Sequence, residues 1–305
     1  MFDWTGRFDG DEESYHRIFQ RVSTDSDYEN IKPNDFVLHG FAVDEGVRRN
    51  KGRLGAKDAP DVIRRNMSNF PVVHPEFSLL DFGNIFCEDG NLEQTQNDLS
   101  KRVSKVLLKG GKSLVLGGGH EVTYAHYKGV KTAFPEQKIG IINFDAHFDN
   151  RKPEVGVGPS SGTGFWQIAQ EGEIHSLHIG IQKNSNTQKL FEIADNFGMK
   201  YILADEIYSE NIPNIMFAIN SFLEGADVVY VTICMDVFNA SIAPGVSAPA
   251  YNGIFADRQF MQIYRHILSS EKTKALDVAE VNPNFDIQER TARLAASLVN
   301  EWFMI

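Results

Sequence analysis

The sequence predicts an α/β protein, a three-layer α/β/α sandwich around a mostly parallel sheet of roughly eight strands. After Pro33, short apolar runs alternate with longer segments of helical period, the pattern of a parallel sheet wrapped by crossover helices. Most of the short runs are apolar on both faces, as strands covered by helices on each side must be. Gly or Pro stands near many of the breaks. No Pro/Gly/Ser-rich linker divides the 305 residues, so the expectation is one domain over 1–305.

The chain opens with an irregular, acidic segment over 1–33, carrying Asp9, Asp11, Glu12, Glu13, Asp25 and Asp27, which is expected to hug the surface without forming a strand. The strands follow at 36–43, 79–86, 113–116, 139–144, 175–181, 201–204, 228–234 and 274–279. The run at 228–234, Val-Val-Tyr-Val-Thr-Ile-Cys, is the most strongly β-branched. Helical spacing occupies the intervals at 59–68, 92–108, 122–133, 187–197, 212–223, 256–268 and 287–302. There is no internal repeat and no low-complexity tract.

Composition narrows the function. A net charge of -11, from 41 acidic and 30 basic side chains, excludes a general nucleic-acid binder, which needs a basic face for phosphates. The N-terminus lacks a basic stretch followed by an apolar one, and no apolar run reaches the ~20 residues of a membrane helix. A soluble, cytoplasmic protein with no membrane partner is expected. The two cysteines, Cys87 and Cys234, fall in different elements, so no disulfide framework is expected and a reducing compartment fits.

In parallel sheets ligands bind beyond the carboxyl ends of the strands, so polar residues at those ends are informative. The strand at 139–144 closes with Asn143-Phe144-Asp145-Ala146-His147-Phe148-Asp149. Side chains two apart in extended chain point the same way, which lets Asp145, His147 and Asp149 converge. Two carboxylates and an imidazole suit Mn, Zn or Fe; the alternative is helix capping beside a buried histidine. The run at 113–116 ends in Gly117-Gly118-Gly119-His120, where glycines permit a sharp turn and close approach, freeing His120 to project into the crevice. A phosphate-binding loop competes with that reading but lacks the Lys-Ser/Thr of a P-loop. The run at 228–234 leads into Cys234 and Asp236 on one face, and Asp236 is either a further carboxylate ligand or a cap. The last strand ends in Glu280-Val281-Asn282-Pro283, and a Glu in an apolar run calls for a partner, either a cationic substrate or an internal salt bridge.

These four elements, with Gly52-Arg53-Leu54-Gly55-Ala56, resemble in order and spacing the ureohydrolase superfamily of arginases, agmatinases and formimidoylglutamases, over residues 36–305. The resemblance implies a binuclear metal hydrolase of a small amidine or guanidine, with two Mn2+ ions per subunit. It makes Asp145 a bridging ligand and puts His120 and Asp149 on one metal and His147 and Asp236 on the other; in such a site Asp149 is also the expected carrier of a proton to the leaving amine. Glu280 is then expected to orient the substrate, and Asn282 beside it is expected to bind the substrate as well. The second bridging aspartate of the family is replaced by Cys234, which either ligates as a softer thiolate or is a buried bystander. Arginases place a proton-shuttling histidine in the loop after the metal run, and here no histidine stands between Asp149 and His175.

Pro159-Ser160-Ser161-Gly162-Thr163, the stretch from Gly40 to Asn50 and Ala243-Pro244-Gly245-Val246-Ser247-Ala248-Pro249 look most like the formimidoylglutamase branch. Its reaction, in histidine degradation, converts N-formimidoyl-L-glutamate and water to L-glutamate and formamide. Gly164 and Trp166 depart from that branch, where a Pro and an Arg are expected. Arg151 is the candidate replacement for carboxylate binding, or else a surface ion-pair partner, and Arg48 and Arg49 are further candidates. Agmatinase, another guanidino-acid hydrolase, or a catalytically silent binding protein are the competing readings. The family is often oligomeric, and a homo-oligomer is compatible with the sequence.

Overall fold

The computed structural model describes residues 1–305. In chain order its strands are β1 (Val22–Ser23), β2 (Phe36–Ala42), β3 (Leu79–Phe86), β4 (Lys112–Leu116), β5 (Ile139–Phe144), β6 (His175–Ile181), β7 (Lys200–Leu203), β8 (Val228–Cys234) and β9 (Thr273–Ala279). The helices are α1 (Ile18–Arg21), α2 (Glu45–Arg49), α3 (Ala59–Met67), α4 (Leu92–Leu108), α5 (Val122–Ala133), α6 (Gly164–Gln170), α7 (Gln188–Asn196), α8 (Ile212–Glu224), α9 (Arg258–Leu268) and α10 (Arg290–Phe303). No helix is long and apolar enough to cross a membrane.

All nine strands are parallel, in the order β1-β3-β2-β4-β9-β8-β5-β6-β7. Alternating side chains split the core into two layers. Leu114 and Leu116, Ile142 and Phe144, and Leu276 and Val278 pack with residues of α3, α8, α9 and α10. Val115, Ile141 and Ala275, one step along each strand, pack on the other side with residues of α4, α5, α6 and α7. Helix starts are fixed locally: Asn91 accepts from the Gln94 amide and Asp257 from the Phe260 amide, capping α4 and α9.

Four elements differ from the sequence expectation, the strand β1 and the short helices α1, α2 and α6. The sheet has a ninth strand because the lead segment pairs Val22 and Ser23 with Leu79 and Leu80. Two residues are too few to give a periodic signal; the segment is held by tertiary contacts instead. Ile18 is buried, and the Trp4 indole donates to Asp81, whose carboxylate is also clasped by the buried Arg64 guanidinium at 2.9 and 2.8 Å. The short helices α2 and α6 are also absent from the sequence reading, since both lie in loops whose shape is set by contact with the strand ends.

The central strands position the functional edge. β4, β9, β8 and β5 are neighbours, so parallel pairing carries the Gly117–His120 turn, Glu280, Cys234 with Asp236, and Asp145 to the same edge of the sheet. The glycine turn is wedged there: Gly119 donates to the Val43 carbonyl, and the Gly118 carbonyl accepts from the Glu280 amide at 2.7 Å. A Cβ at Gly118 would lie 1.8 Å from the Val43 carbonyl oxygen, whereas one at Gly164 meets nothing nearer than 3.7 Å. Gly118→Ala is therefore expected to lower the thermal unfolding midpoint, by the ~1–3 kcal/mol of an overpacked site, while Gly164→Ala leaves it unchanged or raises it. Equal midpoints for the two variants would refute the wedge.

Candidate metal centre and substrate cavity

The strand ends bring together the residues that the sequence singled out. Asp145 is fully buried, and its two carboxylate oxygens face different partners. Oδ2 lies 3.1 Å from His120 Nδ1, and Oδ1 lies 3.6 Å from His147 Nδ1. Asp149 reaches His120 Nδ1 at 2.8 Å, and Asp236 reaches His147 Nδ1 at 3.3 Å. Two groups of convergent ligand atoms result, His120 with Asp145 and Cys234, and Asp145 with His147 and Asp236. Asp145 belongs to both. Asp149 takes φ 45° and Glu280 φ 67°, left-handed conformations costly for non-glycine residues, which aim both side chains at this edge.

The electrostatics are those of a site built for cations. Burial raises the Asp149 carboxyl, with the Asp145 charge adding to it, and burial raises Asp236 more than His147 lowers it. Burial pulls both histidines down, but for His120 the hydrogen bonds to Asp145 and Asp149, and for His147 the Asp236 and Asp145 carboxylates, more than reverse this. Both imidazoles end well above the ordinary histidine range. Burial and then the surrounding carboxylates push the Cys234 thiol far up, so it keeps its proton unless a cation is bound beside it. Asp236 Oδ1 is buried with no hydrogen-bond partner, a lone pair directed where no protein donor stands. Hard carboxylate oxygens, imidazoles and one orphaned oxygen fit divalent ions such as Mn2+.

Beside this cluster lies a cavity of about 150 Å³ lined by His147, Asp149, Cys234, Asp236 and Glu280, with Asn50, Arg151, Ser161, Leu190, Ser247 and Ala248 completing the wall. Glu280 is 5% exposed, and one of its oxygens accepts from the His120 amide at 2.9 Å. Burial, reinforced by Glu121 and Asp236, raises its carboxyl well above the usual range. Asn50 and Arg151 also border a second cavity of about 360 Å³, whose wall includes Lys51 and Lys152.

Two expectations are corrected. Asn282 does not reach the cavity; it is fully buried, and its amide donates to the Arg53 and Leu54 carbonyls at 2.9 and 3.1 Å, fastening the preceding loop. Arg48 and Arg49 are engaged by Glu45, with Arg49 also bound to Glu93, which leaves Arg151 as the cation at the junction of the cavities. Asn50, Ser161 and Ser247 also line the cavity; the sequence marks the segments that carry them by resemblance but gives none of the three a role, because small polar residues in loops carry no pattern of their own.

The arginase family profile matches residues 34–305, and the chain belongs to that family. It is 40% identical to a formimidoylglutamase of Macrococcus caseolyticus over 299 residues, 97% of this chain and 94% of the relative. It is 38% identical to a formimidoylglutamase of Staphylococcus aureus over 305 residues, 98% of this chain and 96% of the relative. Among solved structures, the fold is similar to formimidoylglutamase from Bacillus subtilis, with TM-score 0.87 at 22% identity over 98% of this chain and 94% of the other. It is also similar to Trypanosoma cruzi formiminoglutamase with Mn2+, with TM-score 0.79 at 24% identity over 88% and 92%.

Because His120 and His147 hold protons that a metal must displace, metal uptake is expected to release protons and to weaken as pH falls. Calorimetric titration of chelator-stripped protein with Mn2+, in buffers of different ionisation enthalpy, measures the release. Affinity independent of pH between 6 and 8, the interval around the ordinary histidine pKa, would contradict it.

Proposed function

We propose that this protein is a binuclear Mn2+-dependent formimidoylglutamase, hydrolysing N-formimidoyl-L-glutamate to L-glutamate and formamide. The observation that carries the reading is one cavity whose wall combines residues of the carboxylate and imidazole cluster, a buried Glu280 and an available Arg151. His120, Asp145, His147, Asp149 and Asp236 would hold two ions, with Cys234 in position to contribute a sixth ligand. Ions held there supply Lewis acidity that makes a water molecule nucleophilic near neutral pH.

The chain's own groups account for the rest. Glu280 lacks a cationic side chain beside it, so the positively charged amidine of the substrate is its natural partner, and the hydrogen bond from the His120 amide fixes the carboxylate in place. That pairing sets the amidine carbon against the ligand cluster. Asp149, with its raised carboxyl, is suited to carry a proton to the departing amine nitrogen. The glutamate half of the substrate bears two carboxylates, and Arg151, with Lys51 and Lys152 beyond it, offers the matching charge. The cationic tail of agmatine would meet repulsion there, which favours the dicarboxylate substrate over the agmatinase reading.

Glu280→Gln is expected to reduce kcat about 100-fold or more with Mn2+ binding retained. Unchanged turnover would remove Glu280 from the reaction. Arg151→Ala is expected to raise KM for N-formimidoyl-L-glutamate roughly 10-fold or more, the loss of a charged hydrogen bond, with a smaller effect on kcat. An unaltered KM would assign Arg151 to the surface.

A further inference from the structure

Behind the candidate centre, on the side of the sheet covered by α5, lies a row of buried polar side chains that the proposed reaction does not use. Pairing places Thr232 of β8 level with Asp277 of β9 and Asn143 of β5. Asp277 is completely inaccessible, yet three donors converge on it. Its Oδ1 accepts from the Thr232 hydroxyl at 2.5 Å; its Oδ2 accepts from the Tyr230 hydroxyl at 2.5 Å and faces His126 Nδ1 at 2.7 Å. His126, on α5, is held in turn by Ser113 at 3.0 Å on its other nitrogen. His120 Nε2 lies 3.0 Å from Thr232 Oγ1, and Thr123 Oγ1 lies 3.4 Å from the same oxygen.

The chemistry of these groups gives the chain of bonds a direction. A carboxylate has no proton to donate, so Asp277 only accepts. Thr232 has one hydroxyl proton, and Asp277 takes it at a short distance. Toward His120, Thr232 can therefore only accept, which places a proton on His120 Nε2. Nδ1, the nitrogen facing Asp145 and Asp149, is then the one left to carry a free lone pair when a cation binds.

We propose that Asp277 is a positioning residue that, through Thr232, fixes the tautomer and ring orientation of His120 and so sets the metal affinity of the half-site containing His120. The proposal rests on the metal-centre reading above. His126 and Tyr230 hold Asp277 by filling its second oxygen, so that Oδ1 stays aimed at Thr232. Residues behind a metal-binding imidazole act in this way when they accept the proton of its distal nitrogen. The cost of burying Asp277 makes the arrangement stable only while its donors remain.

The test uses the full chain stripped of metal by chelation and titrated calorimetrically with Mn2+, comparing wild type, Thr232→Val, Thr232→Ser and Asp277→Asn, with unfolding midpoints recorded for each. Thr232→Val removes the hydroxyl at nearly constant shape, Thr232→Ser restores it, and Asp277→Asn turns one accepting oxygen into a donor. The expected result is that Thr232→Val and Asp277→Asn weaken one of two Mn2+ equivalents about 10- to 100-fold, leaving the other within about threefold, while Thr232→Ser binds as wild type. If Asp277→Asn fails to fold, the Val and Ser pair at position 232 decides the matter. Equal binding of both equivalents by Thr232→Val and Thr232→Ser would overturn the proposal, as would a loss of both equivalents that tracks the unfolding midpoint. A wild-type protein that takes up no Mn2+ would instead overturn the metal-centre reading itself.

Discussion

Four carboxylates, Asp145, Asp149, Asp236 and Glu280, crowd the carboxyl ends of the central strands, three of them almost completely withdrawn from water. Negative charge at such density cannot persist unbalanced, because burial penalises each ionised group and each raises its neighbours further. The protein supplies two imidazoles and no lysine or arginine within the cluster. Balance comes from protons or from bound cations, and burial already raises the Glu280 carboxyl well above its usual range. The rest of the fold serves to hold these groups in that unstable proximity.

Parallel pairing is what makes the proximity achievable. With β4, β9, β8 and β5 side by side and pointing one way, functional groups separated by well over a hundred residues arrive at one edge. The glycine turn after β4 allows the backbones of β2, β4 and β9 to interlock through the Gly119 to Val43 and Glu280 to Gly118 hydrogen bonds. A second layer of polar groups contacts the cluster from behind. Asp277 and Thr232 stand behind His120, while the Asn143 amide donates to Asp145 at 3.3 Å and lies 3.2 Å from His178. The cavity beside the cluster is lined from two sources, the strand ends with His147, Asp149, Cys234, Asp236 and Glu280, and the loops carrying Asn50, Arg151 and Ser161.

What could be read from the sequence follows the same division. The long strands were legible because burial on both faces leaves an apolar run, and α4 and α5 were legible to the residue because their periodic faces are long and bounded by turns. The convergence of the acids and histidines was legible because such residues at strand ends are chemically out of place. The two-residue β1 was not, since its pairing depends on contacts such as Trp4 with Asp81, far apart along the chain. Asn282 sits in a motif beside Glu280, but the left-handed backbone at Glu280 breaks the strand's alternation, and the Asn282 side chain bonds to the Arg53 and Leu54 carbonyls instead. Arg48 and Arg49 were indistinguishable in sequence from free cations until Glu45 and Glu93 were seen to hold them. Asp277 did carry a signal, a charge inside the apolar run of β9, although only the structure reveals its partners.

A substrate with a cationic amidine at one end and carboxylates at the other would engage the carboxylate cluster and Arg151 together. The most direct measurement is formamide and glutamate release from N-formimidoyl-L-glutamate by reduced, Mn2+-loaded protein, with agmatine and arginine assayed in parallel. The account predicts turnover of the first compound and little or none of the other two. Preferential turnover of agmatine, or none of any substrate by protein carrying two bound ions, would contradict it.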